Sequence, residues 1–116
     1  MSGTLVPAGV RLAATADVPE GAALVVHVGE GEGRVSLVLT RRAGAFHAFR
    51  NRCTHADYPL QRADGRVLVQ QGRFIVCGAH GASYALDTGA CAGGPCNGKG
   101  LTRVAIVERD GALFGA

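Results

Sequence analysis

The stretch Val35-Ser36-Leu37-Val38-Leu39-Thr40 decides the fold. Its β-branched and aliphatic residues lack the 3.6-residue spacing of an amphipathic helix and predict a strand. Upstream, Ala22 to Val28 is a second such run, joined to the first by the turn Gly29 to Gly33. Downstream, Ala43-Gly44 turns the chain into Ala45 to Arg50. Farther along come Arg66 to Gln70, the tight Gln71-Gly72 turn, Arg73 to Val76, Ser83 to Leu86, and a longer run from Leu101 to Glu108. Leu5 to Leu12 opens the series, broken by Pro7 and Gly9. Asp110-Gly111 marks a last hairpin into Ala112 to Phe114, because Asp-Gly supports a type I′ turn. Short strands at this spacing predict an all-β fold, an antiparallel sandwich or small barrel.

A chain of 116 residues is the size of one domain. The mean hydropathy of +0.18 is high, yet the longest apolar runs, such as Ala22 to Val26, are short. A spanning helix needs about 20 apolar residues, so no membrane segment is expected. Met1 to Leu5 lacks a basic start followed by an apolar stretch, and a cytoplasmic location is the expectation. The net charge of +3 is too mild for nucleic acid. Its nearest approach to a cluster, Arg41, Arg42, Arg50 and Arg52, has no aromatic ladder between its members.

Two segments break the strand pattern. Asn51 to Gly65 and Cys77 to Gly100 hold all four Cys, two of the four His and two of the four Pro. Cys53-Thr54-His55 follows the run Ala45 to Arg50, and Cys77-Gly78-Ala79-His80 follows Arg73 to Val76, so both motifs hang from strand ends. The 21 residues between His55 and Cys77 suffice for a hairpin that returns the chain to the same end of the sheet. Two thiolates and two imidazoles suit either tetrahedral zinc or an iron–sulfur centre. Zinc fingers keep Cys with Cys and His with His, whereas each loop here mixes them. The mixture fits a [2Fe–2S] cluster with two thiolates on one iron and two imidazoles on the other.

At these residues the sequence resembles the Rieske family, strongly over Phe46 to Val104 and as a compatible β framework elsewhere. The resemblance implies that Cys53, His55, Cys77 and His80 are the cluster ligands. It makes Gly81-Ala82-Ser83-Tyr84 the tail of the second ligand loop, and Gly89 to Pro95 a third, proline-bearing loop over the cluster. One domain, 1–116, is expected, with a base at 1–49 and 101–116 and a cluster-binding part at about 50–100.

The departures from the family are informative. Membrane-anchored respiratory members carry an additional Cys in each ligand loop, where this chain has Tyr58 and Ala79, so their disulfide cannot form. Ala82 stands where they have a serine that donates to a bridging sulfide, and Asp57 replaces their glycine near His55. Fewer donors and an added carboxylate disfavour the reduced cluster. Tyr84 stands where high-potential members have a tyrosine that reaches a ligand sulfur. A midpoint in the lower half of the family's range of about −150 to +300 mV follows, above its floor if Tyr84 reaches a sulfur.

Other candidates read as structural. His27 and His47 lie inside strand-like runs, and Cys91 and Cys96 are expected as a reduced pair in a cytoplasmic protein, although they could form a disulfide clasping the proline loop. The acids of Gly29 to Gly33 would repel a phosphate.

The resemblance implies a one-electron relay with no catalytic site of its own: a soluble Rieske-type ferredoxin, as in ring-hydroxylating dioxygenase systems. Such a monomer takes an electron from a flavin-dependent reductase and delivers it to a terminal oxygenase or similar redox enzyme. Its mild positive charge implies an acidic partner docking near Arg50, Arg52 or Lys99. An accessory small subunit like that of nitrite reductase is the alternative, although those often lack the ligands. A zinc-stabilised structural domain is the other.

Overall fold

The computed structural model describes residues 6–29, 34–53, 58–78, 81–96 and 98–116. Met1 to Leu5, the turn beyond Gly29, and His55, Asp57, Ala79 and His80 lie outside the described residues. The architecture is all-β and antiparallel, as the turn-punctuated strands predict. Among the described residues ten strands form three sheets: β1 (Arg11–Ala14), β10 (Ala112–Gly115) and β9 (Ile106–Arg109) in the first. β2 (Ala23–Val28), β3 (Val35–Arg42) and β4 (Ala45–Arg50) form the second. The third runs β5 (Leu68–Gln70), β6 (Phe74–Val76), β7 (Ser83–Ala85) and β8 (Cys91–Gly93).

The turns follow from local chemistry. Ala43-Gly44 and Asp110-Gly111 each join two strands through a two-residue loop with both residues at positive φ. That is the geometry whose twist matches the flanking strands. Ala43 is strained there, and the Glu20 carboxylate stabilises the turn by accepting the N–H groups of Ala43 (2.6 Å) and Gly44 (2.8 Å). Those donors, Gly44 first, hold the Glu20 carboxyl below the usual range.

β3 is the middle strand of the central sheet, and Leu37, Val38, Leu39 and Thr40 are all buried. Its two faces serve different apolar clusters. Leu37 and Leu39, with Ala48 of β4, pack with Val6, Val18, Val104 and Leu113. Val38 and Phe49 point the other way, into Leu60, Ile75, Tyr84, Leu86, Leu101 and three cysteine sulfurs. Burial on both sides explains the near-continuous apolar run, where one solvated face would have produced alternation.

Three expectations need correction. The first strand begins at Arg11, because Pro7 cannot donate to a ladder and Gly9 turns at φ 86°. A 3-10 turn, Thr15–Asp17, follows it. Only Ile106–Arg109 of the long run from Leu101 joins a strand ladder. Its first half crosses between sheets, with Leu101 N–H on the Gly89 carbonyl, Arg50 N–H on that of Thr102, and Val104 N–H on that of Ala48. Finally, 91–93 is a short strand rather than loop, paired with β7 through Ser83 and Tyr84. Among the described residues no helix is long and apolar enough to cross a membrane.

Candidate metal centre

The chain leaves β4 through Asn51, whose side chain is engaged on three bonds. Its Nδ2 donates to Ser36 Oγ (2.9 Å) and Gln61 Oε1 (2.7 Å), and its Oδ1 accepts the Leu60 N–H (2.7 Å). One amide thereby ties the start of the first loop, its return, and β3. Neutral hydrogen bonds contribute about 0.5–1.5 kcal/mol each, and more is lost when a buried partner is left unsatisfied. Asn51 is a functional support that the sequence reading did not single out. The available signal was a polar amide placed just before the Cys motif.

Both Cys motifs close the same way. The Cys53 N–H donates to the Tyr58 carbonyl at 2.7 Å, and the Cys77 N–H to the Ala82 carbonyl at 2.7 Å. In each loop the acceptor stands five positions after the cysteine (58 − 53 and 82 − 77). Gly81 N–H returns to the Cys77 carbonyl at 3.0 Å, and Gly78 N–H bonds the Leu60 carbonyl at 3.2 Å, joining one loop to the other.

Cys53 and Cys77 stand outside the disulfide, are 1 % and 2 % exposed, and share one apolar cluster. The Tyr84 hydroxyl lies 3.4 Å from Cys53 Sγ, so the tyrosine reaches a cysteine sulfur, as the resemblance implies. Ala82 is buried and has no hydroxyl to offer. Two soft, buried, unbridged sulfurs at matching loop starts, with a hydroxyl against one of them, fit an iron–sulfur centre. The other two expected ligands, His55 and His80, fall outside the described residues.

A third segment packs over the second loop. Gly94 adopts φ 75°, and a Cβ there would lie 2.8 Å from the Gly81 carbonyl oxygen and 3.0 Å from Ala82 Cα. Glycine is required for that approach. The expected reduced pair is corrected here: Cys91 and Cys96 form a disulfide, their Cα atoms 5.9 Å apart. The reversal at Gly94 and Pro95 returns Cys96 to Cys91 at a separation inside the disulfide range. Compartment alone had argued for free thiols.

The remaining histidines have other surroundings. His47 on β4 has Arg103 Nη2 3.4 Å from its Nδ1. Partial burial, then the Arg103 charge, lowers its pKa. His27 is exposed on β2.

Known proteins share both the sequence pattern and the architecture. A model of the Rieske [2Fe-2S] domain matches residues 9–108. The ferredoxin of Sphingomonas yanoikuyae B1 is 28 % identical, with 91 % of this chain and 95 % of that chain covered at a TM-score of 0.70. A chain in the complex of reduced oxygenase and oxidized ferredoxin of carbazole 1,9a-dioxygenase is 24 % identical, with coverage of 92 % and 91 % and a TM-score of 0.71. The terminal oxygenase of carbazole 1,9a-dioxygenase from Novosphingobium sp. KA1 is 22 % identical; 97 % of this chain matches 31 % of that one at a TM-score of 0.74.

Proposed function

The chain belongs to the Rieske [2Fe-2S] domain family, and from that membership we propose that it is a one-electron carrier, a ferredoxin delivering electrons to a terminal oxygenase. The observation that carries this reading is the likeness to a ferredoxin, 28 % identical over 91 % of this chain and 95 % of that one. A second similar structure is a complex of a ferredoxin with an oxygenase. A flavin-dependent reductase as the electron source, a monomeric state, a cytoplasmic location and the lack of a catalytic site of its own belong to the same proposal. So does one domain over 1–116, with its base at 1–49 and 101–116 and its cluster-binding part at about 50–100.

Cys53, His55, Cys77 and His80 hold the cluster in this reading. Each histidine falls inside a loop that its own cysteine closes, so every loop supplies one sulfur and one nitrogen. When bound, a [2Fe–2S] cluster takes up and releases a single electron. The chain's residues set how readily that happens. With Cys53 deprotonated as a ligand, the Tyr84 hydroxyl 3.4 Å away would be the donor of that pair, which favours the more negative, reduced state. Buried Leu60, Ile75 and Leu86 keep water from the two sulfurs. Asn51 and the Gly78–Leu60 bond tie the loops to β3 and to each other, and such cross-links would limit reorganisation.

The test is anaerobic purification from iron-replete cells, followed by iron and acid-labile sulfide assays and a reductive titration. A coloured protein that takes up one electron per chain and gives a rhombic EPR signal on dithionite reduction is expected. A colourless, EPR-silent product without labile sulfide ends the reading, and zinc in its place identifies a structural domain.

A further inference from the structure

A groove of about 520 Å³ opens beside the first loop, lined by His27, Arg34, Ser36, Arg50, Asn51 and Arg52 among others. Three arginines and a histidine line it, and no Asp or Glu does among the described residues. Among the described residues the groove gathers basic side chains in a concavity. The floor is fixed, since Ser36 Oγ and both ends of the Asn51 amide are already hydrogen-bonded within the protein. Arg34 and Arg50 are exposed and have no ion-pair partner among the described residues.

Position gives the groove its meaning. Arg52 immediately precedes Cys53, and Pro59, at the far side of the same loop, also lines the groove. The neighbouring Tyr58 is 52 % exposed. A flat aromatic beside a cationic rim is the composition of a protein contact: arginine offers paired N–H groups to carboxylates, and tyrosine offers apolar area. Encounters between electron-transfer proteins bury little surface, so charge steering matters more to them than packed area.

We propose that this groove is the docking site for a carboxylate-bearing protein surface, that of the redox partner with which the chain exchanges its electron. The proposal rests on the electron-carrier reading and adds where the partner lands and what chemistry it presents. It also gives the mild basic excess of the whole chain a local address.

The test uses the dithionite-reduced holoprotein and ferricyanide, an anionic one-electron oxidant, in stopped flow. Ferricyanide is reduced to ferrocyanide while the protein loses one electron. The rate for the parent protein is expected to fall about tenfold between low ionic strength and about 0.3 M. Arg34→Glu/Arg50→Glu should slow the low-salt reaction several-fold and flatten its salt dependence. Arg11→Glu/Arg109→Glu, with the same change in net charge on another sheet, should do much less. A hexaglutamate peptide should inhibit the parent and spare the groove variant. If both double variants behave alike while keeping the rhombic EPR signal, the groove is not the docking site. If inorganic phosphate at equal charge inhibits as well as the peptide, the groove is a small-anion site and the proposal falls. Loss of the EPR signal in the parent would instead remove the carrier reading itself.

Discussion

The two faces of the central sheet solve different problems with the same three strands. On one face Leu37, Leu39 and Ala48 meet an aliphatic layer that closes against the β1–β10–β9 sheet. On the other, Val38 and Phe49 share a cluster with Cys53, Cys77, Cys96 and Tyr84, beside four strands of three residues each. Apolar area and continuous ladders suffice for the first. The second has ladders too short to stand alone, and it adds Asn51, a disulfide, the Thr40 hydroxyl on the Leu86 carbonyl (2.7 Å), and glycines in close backbone contact. The lesson is that a binding lobe gives core volume to ligands and regains order through cross-links.

The contrast is broken most sharply at the ligands. Cys77→Ser should abolish the cluster and speed amide exchange in β5 to β8 by about 100-fold or more, while β1, β9 and β10 keep their protection. Equal loss across all strands would make the two faces one cooperative unit. Leu37→Ala attacks the other face and should lower stability by about 2–4 kcal/mol in a denaturant titration, with the EPR signal retained. Asn51→Leu should cost about 2–3 kcal/mol, because the Leu60 N–H and its other partners lose their bonds. It should also speed iron loss to a chelator, which Leu37→Ala should not.

Smaller effects sharpen the comparison. Tyr84→Phe should lower the midpoint potential by about 40 mV, equivalent to about 1 kcal/mol for one electron, with the shape of the EPR signal unchanged. An unmoved midpoint would take the tyrosine out of redox tuning. Glu20→Gln probes a turn of the central sheet remote from the sulfurs. The folded carboxyl is held below its ordinary value, so its contribution is present above about pH 4.5 and lost as pH falls through the lower folded value. The gap in melting temperature between parent and variant should therefore narrow from pH 5 to about pH 3. A constant gap would mean that the charge contributes nothing.

How much of this was legible in sequence depended on the range of the interaction. The central strands and the Asp110-Gly111 turn follow from residue type and local spacing, and they stand where the sequence predicts them. The Cys motifs were legible as strand-end loops for the same reason. The strand Cys91–Gly93 was not, since cysteine, alanine and glycine have little strand preference and its place is set by pairing with β7. The disulfide depended on a reversal at Gly94, and the role of Asn51 on Ser36 and Gln61 arriving from elsewhere in the chain. The run from Leu101 looked like a full strand because crossing between two sheets demands the same extended, apolar residues.

The double burial of β3 has a practical consequence for anyone wishing to transplant the sulfur-bearing lobe onto another scaffold. Excising 50–100 would leave behind Val38, Phe49 and Leu101, which form part of its own interior. A graft that carries β2 to β4 along with the loops retains that lining. It also arrives with a second apolar face, Leu37 and Leu39, that the new host must cover.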